Sequence, residues 1–141
     1  MTLFLDTEFN GFDGGELISI ALVSDRPGRN SEFYAVTSIP DNPTDFVRTN
    51  VIPRLAAKPE PRDAVVARLL LYLGEHLGEP ILFDWPYDGI HLLCLLVVPC
   101  GRWHAIPLNL QLVTGATFKS RKPHNALSDA RAFRSWYRRR K

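Results

Sequence analysis

The chain has 141 residues, 45% of them apolar and 23% charged, with a formal net charge of +2. These proportions exclude a disordered or collagen-like chain and predict one domain, residues 1–141, around a single core. No apolar run approaches the roughly 20 residues of a membrane span, and the start at Met1-Thr2-Leu3-Phe4 carries neither a basic region nor a cleavage site, so a cytoplasmic location is expected.

Three apolar runs open the chain, at residues 3–9, 17–23 and 32–39, separated by turns at 10–15 and 24–30. Rich in Ile, Val, Phe and Leu, they predict an antiparallel meander. A Pro-punctuated stretch over 40–61 is expected to hold one short helix around 46–55, broken at Pro53. Residues 62–77 then show helical spacing in Val65, Val66, Leu69, Leu70, Leu73 and Leu77, with Gly78 as the stop. A fourth strand is expected over 80–84 and a helix over 87–97, stopped by Pro99 and Gly101. A fifth strand is expected over 103–108. The last helix is expected to start at Asn125, a good N-cap, and to run toward Arg140. Antiparallel strands followed by β/α alternation imply an α/β fold, a mixed five-stranded sheet flanked by helices.

Cys94 and Cys100 lie in no CxxC or Cys/His pattern and are read as two buried thiols. Charge is unevenly placed. Residues 1–118 hold 8 Lys+Arg against 14 Asp+Glu, whereas residues 119–141 hold 9 Lys+Arg and one Asp. An acidic body with a basic end suits a protein that holds cations in one place and a polyanion in another; a solvated basic tail is the plainer alternative.

Chemistry concentrates in three places. In Asp6-Thr7-Glu8, residues i and i+2 of a strand share a face, so two carboxylates stand side by side. Like charges so placed repel unless a cation or proton lies between them, and hard oxygen ligands suit Mg²⁺ or Mn²⁺. In Phe83-Asp84-Trp85-Pro86-Tyr87-Asp88-Gly89, a strand delivers Asp84 to its C-terminal edge and Asp88 falls in the next helical turn, either as a ligand or as a helix cap. In His124-Asn125-Ala126-Leu127-Ser128-Asp129, a loop histidine precedes an aspartate one turn into a helix. Imidazole in general can take a proton from an attacking water. His91 and His104 read as packing or surface residues.

The order Asp-x-Glu, then Asp after a later strand, then His-x4-Asp at the last helix resembles the DEDDh branch of the DEDD 3′→5′ exonucleases, the superfamily of RNase T, oligoribonuclease and polymerase proofreading subunits. The likeness runs from residue 3 to about 135. Asp6-Thr7-Glu8-Phe9 is similar to its first motif, Asp88 to the second, and His124 with Asp129 to the third. Asp84 stands where many members carry asparagine, which leaves Asp84 and Asp88 competing for the second-motif role; Asp88 is preferred because Gly89-Ile90 continues as the family's helix does. The resemblance implies an RNase H-like fold and two divalent cations, Mg²⁺ or Mn²⁺, held by Asp6, Glu8, Asp88 and Asp129, with His124 as general base. It implies hydrolysis from nucleic-acid 3′ ends, releasing nucleoside 5′-monophosphates, and RNA is the preferred substrate because a short, stand-alone chain suits the small exoribonucleases. A DNA exonuclease of proofreading or repair type is the alternative, and a non-catalytic nucleic-acid-binding module a third. Thr7, Phe9, Phe12 and Asn125 would contact substrate, the aromatics by stacking on or wedging the terminal base. Arg131, Arg134, Arg138, Arg139 and Arg140 are candidates for phosphate contacts. A homodimer is expected, by the same likeness.

Overall fold

The computed structural model describes every residue except Pro27, Arg29 and Lys141; the turn expected over 24–30 therefore lies partly outside the described residues. The strands are β1 (Leu3–Phe9), β2 (Leu17–Ser24), β3 (Glu32–Val36), β4 (Pro80–Phe83) and β5 (Asn109–Leu112), and the helices α1 (Arg62–Gly74), α2 (Pro86–Leu95) and α3 (Ala126–Arg138). They form one sheet in the order β3-β2-β1-β4-β5. β1–β2 and β2–β3 pair antiparallel, β1–β4 and β4–β5 parallel. This is the mixed α/β sheet expected from the element order. Among the described residues no helix is long and apolar enough to cross a membrane.

Period-two alternation divides the core between the two faces. Leu3 and Leu5 of β1, with Ile20, Leu22, Ile81 and Phe83, face α1 and α2 through Val65, Leu69, Leu73, Leu92 and Leu95. Phe4 and Leu82 face the other way, against Phe133 and Trp136 of α3, and Ala21 and Val23 of β2 meet Ala126 and Ala130. The phase places Asp6 and Glu8 on the α3 side. Phe4 pairs with Leu82 across the parallel ladder, so two residues further along each chain Asp6 and Asp84 emerge together at the C-terminal edge.

Several boundaries differ from expectation. The fifth strand is Asn109–Leu112, and within residues 103–108 only Trp103 makes a bridge, to Val97. Pro107 has no N–H for a ladder, so parallel pairing with β4 starts beyond it. The stretch over 46–55 is a π-helical turn, Val47–Val51, followed by a 3-10 turn, Ile52–Arg54, with Pro53 in its first positions. β3 stops at Val36, where the Thr37 and Ser38 hydroxyls turn inward to donate to the Leu17 carbonyl. α1 ends at Gly74, short of residue 77, and α3 at Arg138. Cys94 and Cys100 are both free and exposed, not buried: one sits on the solvent side of α2 and the other in the turn at Pro99–Gly101.

Candidate active site

A cavity of about 340 Å³ opens at the C-terminal edge of β1 and β4, and its wall contains Asp6, Glu8, Asp84, Asp88, His124 and Asp129. Three routes converge there. β1 brings Asp6 and Glu8, β4 and the first turn of α2 bring Asp84 and Asp88, and the start of α3 brings His124 and Asp129. The carboxylates fall into two sets, Asp6 with Asp84 and Asp88, and Asp6 with Glu8 and Asp129. Within each set the oxygens lie within 4.8 Å of one another, and Asp6 belongs to both. Asp84 and Asp88 are thus both at the site; the competition between them is not one of position.

Their surroundings differ. Asp88 is buried, and its Oδ1 accepts from the Thr7 backbone N–H at 3.1 Å and from the Thr7 hydroxyl at 2.6 Å. The N-cap of α2 is Trp85, whose side chain makes no capping hydrogen bond, and the Trp85 backbone also favours the charged form of Asp88. Asp129 Oδ2 accepts the His124 backbone N–H at 2.9 Å. Asp6 Oδ2 is buried with no hydrogen-bond partner. Burying an unpaired carboxylate oxygen is costly, and its position between two acid sets is one that a cation satisfies.

Electrostatics tell the same story. Burial, then the charges of Asp88, Glu8, Asp129 and Asp84, hold Asp6 well above the usual carboxylate range. Burial and the neighbouring Asp129 push Glu8 up to about 8. Burial lifts Asp88 to about 7, against the downward pull of the Thr7 hydrogen bonds. Asp84 and Asp129 are also raised, chiefly by burial. Acids that raise one another in a shared cavity are a mark of functional sites, and the donor set, all hard oxygen, fits divalent Mg²⁺ or Mn²⁺.

The rim is aromatic. Phe9 is half-buried, its ring 5.7 Å from Tyr87 and 4.9 Å from His91. Phe12 is 80% exposed. Its ring lies 5.8 Å from Phe46, which in turn sits 4.8 Å from the His124 imidazole. Phe46, Val47, Val51 and Trp85 line the cavity but carry no sequence motif. Nothing local in the sequence places them there: Phe46, Val47 and Val51 belong to the Pro-punctuated connector, whose π-helical turn, a feature often found at functional sites, is seen only in the structure.

Two of the expected substrate contacts, Thr7 on the cavity wall and Asn125 beside it, hydrogen-bond within the chain. The Thr7 hydroxyl is bonded to Asp88. Asn125 is buried and uses both ends of its amide, Oδ1 accepting from Ser128 N–H at 3.0 Å and Nδ2 donating to the Arg54 carbonyl at 2.7 Å. Of the five arginines from residue 131 on, four make contacts within the chain. Arg131 grips Glu32 with two hydrogen bonds, Arg134 and Arg138 donate to the Ser24 and Asp25 carbonyls, and Arg140 lies 4.2 Å over the Trp136 ring.

Comparison with known proteins returns no matching protein-family model, no matching curated protein and no matching solved structure.

Proposed function

We propose that this chain is a metal-dependent 3′→5′ exonuclease that removes nucleoside 5′-monophosphates from nucleic-acid 3′ ends, RNA in preference to DNA. The observation that carries the reading is Asp6, shared between two carboxylate sets, with a buried unpartnered oxygen and a histidine on the same cavity wall. Glu8 and Asp129 on one side, and Asp88 with Asp84 on the other, would complete the shells of two divalent cations. Bound there, the cations would supply the positive charge that stabilises the phosphoryl group in transfer. The protein's own groups do the rest. Thr7 fixes the Asp88 carboxylate through two hydrogen bonds. His124 takes the proton of the attacking water. Phe9 and Phe12 offer ring faces for the terminal bases. A homodimer remains part of the proposal.

The test is digestion of 5′-labelled and 3′-labelled RNA and DNA strands with Mg²⁺, with Mn²⁺ and with EDTA. Nucleoside 5′-monophosphate should leave the 3′ end first, EDTA should abolish release, and His124→Ala should lower kcat by about 10²–10⁴-fold. Asp88→Asn should cost more than Asp84→Asn; the reverse order would make Asp84 the principal ligand. Release from the 5′ end, or full activity in EDTA, would sink the reading.

A further inference from the structure

A second and larger concavity, about 930 Å³, lies beside the carboxylate cavity, between the 3-10 turn, the loop before α3 and the outer side of α3. Its lining includes Arg54, Lys119, Arg121, Lys122, Arg131 and Arg139, and no Asp or Glu. Leu55 and Leu127 contribute apolar surface. Glu32 neutralises Arg131. Among the described residues, Lys119, Arg121, Lys122 and Arg139 have no side-chain ion pair or hydrogen bond, in contrast to Arg131, Arg134 and Arg138. Four cations of the basic end that no side-chain contact engages thus share one groove.

That groove is joined to the carboxylate cavity. Arg54 lines it, donates to the Pro123 carbonyl at 3.0 Å and lowers the Glu8 carboxyl through space. Asn125 lines the groove while His124, one residue earlier, lines the cavity. The wall between the two is the segment 123–125, pinned by Arg54. One concavity is lined by carboxylates and the next, larger one by cations.

We propose that this groove receives the backbone phosphates of a single strand on the 5′ side of the terminus bound in the carboxylate cavity. Lys119, Arg121, Lys122 and Arg139 are the phosphate contacts, and the groove makes the protein prefer strands several nucleotides long over dinucleotides. The proposal rests on the exonuclease reading for its direction, but strand binding by the groove is measurable without turnover.

The experiment uses a fluorescent single-stranded RNA octamer, the matching DNA octamer and a dinucleotide. Affinity is read by anisotropy with Ca²⁺ in place of Mg²⁺, and hydrolysis is read with Mg²⁺. In Lys119→Glu/Arg121→Glu/Lys122→Glu, with folding checked by thermal melting, the octamer Kd should rise at least tenfold. The ratio of octamer to dinucleotide kcat/KM should fall by a similar factor. Single-strand binding weakens with salt with a slope near −0.7 per phosphate contact, so the slope should flatten by about 2 in this variant. The milder Lys119→Gln/Lys122→Gln pair should shift Kd in the same direction by less. An unchanged octamer Kd, or equal losses on octamer and dinucleotide, would overturn the groove. Groove-dependent octamer binding with no hydrolysis of any strand would instead overturn the exonuclease reading and leave the groove standing.

Discussion

His124 is the one described non-glycine residue with positive φ, at 63°. A side chain there costs about 1–2 kcal/mol, because Cβ crowds the following carbonyl. The conformation is held from both sides: Arg54 fixes the Pro123 carbonyl, Asp129 accepts the His124 N–H, and Asn125 caps the helix that follows. Strain kept at a cavity wall beside five carboxylates is what a functional residue looks like. The expected outcome is a split between two variants. His124→Gly should melt higher than His124→Ala, by the equivalent of about 1 kcal/mol, while both lose hydrolysis alike. A Gly variant no more stable than the Ala variant would mean that the strain is absent. At this scale the sequence was readable where chemistry follows local periodicity: Asp6 and Glu8 share a face because strands repeat every two residues. It was unreadable for Phe46 and Trp85, whose role depends on which loop lies over the cavity.

Among the elements, α3 decides where the third motif falls. Ala126 and Ala130, one turn apart, are fully buried against Ala21 and Val23. These small residues let the helix start lie close to β2, which brings Asp129 and His124 to the carboxylates of β1. Beyond them, Phe133 packs edge-on to Phe4 at 5.4 Å and stacks on Phe118. Ala130→Leu should therefore overpack this contact, cost about 1–3 kcal/mol and lower kcat by shifting Asp129, with lost affinity for Mn²⁺ as the separate readout. Unchanged Mn²⁺ affinity would show that the close approach does not set the site. Caps and amphipathic stripes made the helices legible in the sequence. The fifth strand was misplaced because apolar alternation runs on through Ile106, Leu108 and Leu110; only pairing with β4 selects Asn109–Leu112.

For the whole molecule, the acidic cavity and the basic groove stand side by side, and the metal-free protein should be least stable where the acids are forced to ionise together. Glu8 is raised to about 8 and Asp88 to about 7, from ordinary values of 4.5 and 3.8, so the folded state holds more protons than the unfolded chain across that interval. Stability in EDTA should thus fall as pH rises from about 5 to 8.5, by roughly 5 °C or more in Tm. Mg²⁺ or Mn²⁺ should restore the loss most at the upper end, and Asp6→Asn should flatten the profile. A Tm in EDTA independent of pH across this window would argue against the mutual repulsion.

The sequence by itself determined the mixed α/β sheet, the N-cap at Asn125 and the identity of the acids and the histidine, because period-two strands, helix caps and motif spacing are local properties. Only the tertiary structure decided that Asp84 and Asp88 both meet Asp6, that Thr7 serves Asp88, and that most of the C-terminal arginines contact other parts of the chain while Lys119, Arg121 and Lys122 line one groove with Arg139. Those are contacts between segments far apart in the chain, set by strand order and helix packing.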